Sequence, residues 1–218
     1  MTRPRLRASL AAAWLVVTAA ACARGGCSSG GVAASGGGLD LAAPADSPVV
    51  FSSVGEFDLV ERGGSRLTRE DLIGHPWVAS FLFTRCTGPC PMVRSTLKKL
   101  ETRLKGTDAR LVTFSVDPSF DTPEVLAEYA SGVQADPKRW LFVTGDKAAI
   151  HELIRKSFLS AVEEAPPGTA PIGEQVSHRT QLVAVDKQGR VRGYYHGESD
   201  DQVDLLVARL AFLQREAE

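Results

Sequence analysis

A chain of 218 residues, 44% hydrophobic and 23% charged, suits one globular domain of about 150–170 residues plus a non-core end. Such a domain buries a full core without a disulfide staple. The formal net charge of −1 falls to −4 once residues 1–21, which hold Arg3, Arg5 and Arg7 and no acid, are set aside; a mildly acidic domain with no basic block argues against nucleic-acid binding.

The N-terminus has the layout of a targeting segment. Three arginines precede an apolar run from Leu10 to Ala20, too short for a comfortable membrane span. Small residues then lead to a cysteine in Thr18-Ala19-Ala20-Ala21-Cys22. This is the pattern of a bacterial lipoprotein signal, with Cys22 as the lipidated first residue, although Ala19 stands where Leu is commoner. Ordinary cleavage after Ala21 or Ala23, or an uncleaved anchor, are the alternatives. All three export the domain. Outside the cytoplasm, two neighbouring thiols form a disulfide, a redox couple or a metal site.

Residues 22–50 are rich in Gly, Ser and Ala and are expected to form a flexible tether without a packed element. Cys27 lies in it and reads as incidental. The domain proper is expected over residues 51–218. Phe57 to Glu61, Gly63-Gly64 and Ser65 to Leu67 suggest a β-hairpin. Trp77 to Phe83 is a continuous apolar run, hence a buried central strand. Pro91 is placed to open a helix, with Val93, Leu97, Leu100 and Leu104 on its buried face.

Arg110 to Val116 is a second buried strand. Thr122 caps the next helix, with Pro123 at its first position, and that helix runs to about Ser131. Trp140 to Thr144 is a strand. Asp146 caps a helix carrying Ile150, Leu153 and Ile154. Glu163 to Glu174, with Pro166, Pro167, Gly168, Pro171 and Gly173, is a long loop. Thr180 to Val185 and Arg190 to Tyr195 form a hairpin about Asp186 to Gly189. Asp200 or Asp201 opens a last helix striped by Val203, Leu206, Val207, Leu210 and Leu213. The order is hairpin, βαβαβα, then ββα. It predicts an α/β sandwich of thioredoxin-like type with an added N-terminal β-hairpin.

The chemistry concentrates in Phe81-Leu82-Phe83-Thr84-Arg85-Cys86-Thr87-Gly88-Pro89-Cys90-Pro91. Cys90 precedes a proline and is expected at the N-cap, with Cys86 in the turn before it. Unpaired N–H groups and the positive end of the helix dipole favour thiolate there. Thiolate is both the redox nucleophile and a soft metal ligand. The three-residue spacer gives a looser loop than the two-residue spacer of typical disulfide oxidoreductases. Soft thiolates select Cu(I), Zn(II) or Fe–S centres, and a closed zinc site needs four ligands. Two thiolates and one imidazole suit three-coordinate Cu(I). His75 in a loop, His151 in a helix and His196 after the last strand read as structural or solvated. His178, between the long loop and a strand, faces the thiols in a thioredoxin-like layout.

Three motifs in order resemble the Sco/SenC family of copper-binding proteins over about residues 50–215. Phe83 to Met92 resembles its F-T-x-C-x-x-x-C-P. Phe114 to Pro118, followed by Asp121 to Glu124, resembles its S-V-D-P…D-T-P-E. Val176 to Thr180, followed by Leu182 to Gly189, resembles its His-strand-D-x-x-G segment. The resemblance implies Cys86, Cys90 and His178 as copper ligands, for Cu(I) and also Cu(II). It implies Asp117 beside the site, orienting or tuning it, though a plain strand-ending turn would explain that residue as well. It further implies a domain tethered to the outer face of the cytoplasmic membrane. There it would deliver copper to, or reduce thiols at, the dinuclear centre of cytochrome c oxidase subunit II. Other copper chaperones or thioredoxin-like reductants are further partners. Two departures stand out. Thr87-Gly88 replaces the family's usual Pro and acid after the first cysteine, and Ser177 stands where Asp commonly precedes the His. Neither changes a ligand; both bear on loop rigidity, affinity and potential.

A metallochaperone and a thiol:disulfide oxidoreductase cycling Cys86 and Cys90 are thus the two principal readings. A peroxiredoxin-like peroxidase fits less well, because Thr84-Arg85-Cys86 lacks the expected Thr spacing.

Overall fold

The computed structural model describes residues 42–88, 90–166 and 168–216, with the Cys90 side chain left out. The targeting segment, Cys22 and Cys27 lie outside the described residues.

β1 (Ser52–Ser53), β2 (Asp58–Glu61) and β3 (Arg66–Thr68) precede β4 (Trp77–Leu82). Then come α1 (Cys90–Arg103), β5 (Arg110–Ser115), α2 (Pro123–Gly132), β6 (Trp140–Thr144) and α3 (Lys147–Ser157). β7 (Val162–Glu164), β8 (Val176–His178), β9 (Gln181–Val185), β10 (Arg190–His196) and α4 (Asp200–Arg215) complete the order. The main sheet runs β1-β10-β9-β4-β5-β6-β2-β3. Its centre, β4-β5-β6, is parallel, and the flanking pairs are antiparallel.

All six residues of β4 are buried because both faces of the sheet are covered. Trp77, Ala79, Phe81 and Phe83 face a core shared with Ile150, Leu153 and Ile154 of α3. Phe114 stands at its middle, with ring centroids 5.6 Å from Phe158 and 6.2 Å from Phe81. Val78 and Leu82 face the other core, built with Val93, Leu97 and Leu100 of α1, Leu104 just past its end, Leu126 of α2, and Leu206, Leu210 and Leu213 of α4. The polar groups buried between these layers pair with each other: Ser80 and Thr113 hydroxyls lie 2.8 Å apart, and the Trp140 indole donates to Thr113 at 2.8 Å.

The capping residues behave as their chemistry requires. Thr122 accepts from the Val125 N–H with Pro123 opening α2, and Asp146 accepts from the Ala149 N–H at 2.8 Å. Cys90 is the first residue of α1 rather than the residue before it. The long loop expected over Glu163–Glu174 is instead the tip of a hairpin arm. β7 and β8 pair antiparallel, Val162 with His178 and Glu164 with Val176, and form a small sheet of their own. Burial of Val162 and Val176 against the α3-side core holds the arm down.

The segment 42–50 also departs from expectation. It has no regular structure, yet it is fastened to the domain. Ala43 is buried, and its carbonyl accepts from the Tyr195 hydroxyl at 2.9 Å. Arg209 donates to Ala45 O at 2.9 Å, and Arg192 donates to Val49 O at 3.1 Å and Ser47 O at 3.3 Å. Any free tether therefore ends before residue 42, not at residue 50.

Candidate metal centre

The parallel strands β4 and β5 end side by side, Leu82 against Ser115, and the thiol loop leaves from that end of the sheet. Phe83 is sunk in the α3-side core. The chain then turns, and the Cys86 N–H donates back to Phe83 O at 3.3 Å. Cys86 is a free, half-buried thiol packed against both cores. Cys90 opens α1, so the helix N-terminus with its unpaired N–H groups belongs to the same loop.

Two aspartates of the β5–α2 segment hold the residues ahead of Cys86. Asp117, only 5% exposed, accepts from Arg85 Nε at 2.8 Å and Nη2 at 2.7 Å. The guanidinium also lies over the exposed ring of Phe120, 4.5 Å from its centroid. Asp117 thus holds the Arg85 side chain next to Cys86, while its carbonyl accepts the Phe120 and Asp121 N–H groups at 3.0 Å in the turn that ends β5. Asp121 is fully buried. It accepts from the Thr84 hydroxyl at 2.5 Å, from the Thr84 N–H at 3.2 and 3.3 Å, and from the Ser115 hydroxyl at 2.5 Å. Burial pushes its carboxyl up, and the hydrogen bonds from Ser115 and Thr84 pull against that.

The arm closes over the loop from the other side. Gly173 has φ +93°, and a Cβ there would sit 2.7 Å from Arg85 O and 2.8 Å from the Thr87 side chain. Only glycine permits both the left-handed backbone and the approach. At the base of the arm, His178 meets Phe83 edge-on, ring centroids 6.0 Å apart. Its Nδ1 lies 3.3 Å from Arg179 O. A carbonyl only accepts, so this contact is a hydrogen bond when Nδ1 carries a proton. Burial lowers the His178 pKa, against the Arg179 hydrogen bond, and so favours the neutral imidazole that ligates metals. Between α3, the arm and the loop lies a cleft of ≈230 Å³ lined by Arg85, Asp117, Ser119, Lys147, Glu164 and Val176 among others.

The sequence-predicted residues therefore divide. Cys86, Asp117 and His178 converge through Arg85 and Phe83 on one loop, and Cys90 shares that loop by its backbone. Among the described residues no three His, Cys, Asp or Glu side chains form a metal-binding group, but the Cys90 side chain is outside that description. The remaining donors fit a soft cation: a free thiol and a neutral imidazole. His151 is structural, its Nε2 2.9 Å from Val116 O. His75 is half-buried and depressed in pKa by that burial and by Arg110, and His196 is exposed at the end of β10. Sequence reading missed Thr84, Arg85, Phe120 and Asp121 as supports of the loop. Their signal was the pairing of the first two motifs, which only three-dimensional proximity makes legible.

A SCO1/SenC family model matches residues 46–211. A SCO1 protein homolog of Bacillus subtilis is 31% identical over 155 residues, covering 70% of this chain and 78% of that one. BsSco, a member of the Sco family of cytochrome c oxidase assembly proteins with a disulfide switch, is 28% identical with a TM-score of 0.68, covering 79% of this chain and 99% of that one. Yeast Sco1 with copper bound is 25% identical with a TM-score of 0.61, covering 74% of this chain and 90% of that one.

Proposed function

The chain belongs to the SCO1/SenC family, and on that premise we propose that it is a copper chaperone that carries the metal on Cys86, Cys90 and His178. Sco proteins are thioredoxin-like, copper-binding proteins of cytochrome c oxidase assembly. The finer reading is delivery of copper to the dinuclear centre of subunit II, from an extracytoplasmic domain tethered through Cys22.

The observation that carries the ligand set is the contact between His178 and Phe83, which sets the imidazole beside the loop bearing both cysteines. Copper is the cargo. Two thiolates and a neutral imidazole hold Cu(I) with few ligands, so a partner's donors can enter before all three leave. Asp117 and Arg85 keep the loop in place, and the depressed pKa of His178 keeps protons from competing with the metal. Among the described residues no helix is long and apolar enough to cross a membrane.

One observation favours a second activity at the same loop. Cys86 is a free thiol four positions from Cys90, and the related BsSco carries a disulfide switch. In that reading a partner disulfide gains two electrons and two protons, and the Cys86–Cys90 disulfide forms in exchange.

An anaerobic Cu(I) titration of the reduced protein against a competing chelator decides between them. One tight equivalent, weakened sharply by His178→Ala with disulfide formation spared, is the expected result. Weak binding indifferent to His178 leaves the oxidoreductase reading. Replacement of Cys22 by Ser is expected to release the protein from membranes; retention there defeats the lipid anchor.

A further inference from the structure

Asp117 and Asp121 both reach the thiol loop, but with different chemistry. Asp117 has a cation, Arg85, at 2.7 Å. Asp121 lies deeper, and every hydrogen bond it accepts comes from a neutral group: the Thr84 N–H and hydroxyl, and the Ser115 hydroxyl. A buried carboxylate without a cation is expensive to keep. What it supplies there, and an amide does not, is two oxygens that only accept, facing donors that converge from the turn after β4 and from the end of β5.

Thr84 is the hinge of the arrangement. It lies between Phe83, whose carbonyl receives the Cys86 N–H at 3.3 Å, and Arg85, whose guanidinium is held by Asp117. Both the backbone and the side chain of Thr84 end on Asp121. With Asp121 gone, the turn keeps one long hydrogen bond and the Arg85 pair, and loses the attachment between them.

We infer that Asp121 is a positioning residue for the thiol pair: it fixes Thr84, and through Thr84 the depth at which the Cys86 sulfur sits. The metal effect of this role rests on the copper reading above; the effect on the thiol does not. Loosening the turn exposes a sulfur that is half-buried in the intact loop, so Cys86 reacts faster with a neutral alkylating agent.

The test is the rate of Cys86 alkylation by iodoacetamide in the reduced full chain, followed peptide by peptide by mass spectrometry. It is paired with the Cys86–Cys90 reduction potential and Cu(I) affinity. Asp121→Ala is expected to raise the Cys86 rate several-fold and shift the potential. It is also expected to weaken Cu(I) binding about tenfold or more, as loss of outer supports does at metal sites. Thr84→Val, which removes only the hydroxyl, falls between Asp121→Ala and the wild type. Thr84→Ser keeps both donors and behaves as the wild type. A folded Asp121→Ala protein with an unchanged Cys86 rate and potential overturns the inference. If that variant does not fold, Thr84→Val decides, and wild-type rate and potential there overturn it as well. Should the wild type bind no Cu(I) while the alkylation contrast stands, the copper reading fails and the positioning role survives.

Discussion

Two stretches of irregular backbone lie against this domain, and they are held in opposite ways. Residues 42–50 have no strand of their own, yet the carbonyls of Ala43, Ala45, Ser47 and Val49 each meet a buried donor from Tyr195, Arg209 or Arg192. Residues 165–175, the tip of the arm, bond mainly to one another: Ala165 N–H to Gln175 O, Gly173 N–H to the Gln175 side chain. The tip touches the thiol loop at Gly173, while its neighbour Ile172 is 74% exposed. Chain without regular structure is fixed when buried side chains take its polar groups, and is left separable when it satisfies itself. Of the two places that supply proposed ligands, the Cys86 loop belongs to the fixed core. His178 stands at the base of the arm, in β8, below the separable tip.

The hardest break of that contrast is at Arg192. Its guanidinium, in a side chain 2% exposed, joins Asp186 at 2.9 Å, Glu216 at 2.7 Å and two carbonyls of the fastened segment. Arg192→Met comes near the volume but leaves Asp186 with Arg190 as its one remaining cation and strands the carbonyls. A loss of roughly 3–5 kcal/mol is expected, as for a buried ion pair robbed of one partner. Urea unfolding measures it, and hydrogen exchange is expected to show residues 43–50 released while the arm is unchanged. A loss under about 1 kcal/mol, the scale of a surface pair, would mean the segment is not held by this arginine.

What the sequence made legible follows from which interactions are local. The stripe Val93, Leu97, Leu100, Leu104 and the unbroken run of β4 are periodic patterns, and both fall where the pattern puts them. The caps at Thr122 and Asp146 are local hydrogen bonds, readable within a few residues. His178 was expected near the thiols from the layout of the fold; the contact the structure gives it is with Phe83, three residues ahead of Cys86. The arm was read as loop because β7 and β8 are three residues each and show one buried valine apiece, below any periodic signal. Asp121 stood in the sequence only as part of the second motif, ahead of the Thr122 cap, whereas its carboxylate bonds Thr84, 37 residues away. Arg192 and Arg209 resemble surface charges in a polar sequence; their burial depends on carbonyls some 150 residues upstream, roughly 145 and 164. Long-range polar pairing leaves no trace in one sequence.

A substitution at the arm tip tests the other half of the contrast. Gly173→Ala introduces a Cβ 2.7 Å from Arg85 O and demands a left-handed alanine. The backbone term alone is about 1–2 kcal/mol. The arm can lift to relieve the clash, so global stability is expected to fall by no more than that amount. Amide exchange over 162–178 is expected to accelerate, with β4 and β10 unaffected, and Cu(I) affinity to drop with the displaced His178. If exchange in β4 rises together with that of the arm, the two are one cooperative unit and the contrast is lost.

The smallest effect concerns Tyr195, and pH separates it from general destabilisation. Tyr195→Phe deprives Ala43 O of its donor, worth about 0.5–1.5 kcal/mol at neutral pH. Burial pushes the Tyr195 hydroxyl from its ordinary 10.0 up to about 12, against the pull of Arg209. Between those values the unfolded chain has released this proton and the folded chain retains it. The unfolded state therefore binds fewer protons, and stability falls as pH rises through that window. A shift of this size corresponds to about 2–3 kcal/mol when the window has been crossed. Unfolding of both proteins at pH 7 and at about pH 11 isolates the contribution, because every other group that titrates there is common to both. The deficit of Tyr195→Phe is expected to shrink or reverse at the higher pH. Phenolate absorbance is expected to show one tyrosine fewer resisting ionisation in the folded variant. An equal deficit at both pH values would mean that this hydroxyl titrates as if exposed, and that the bond to Ala43 does not hold the segment.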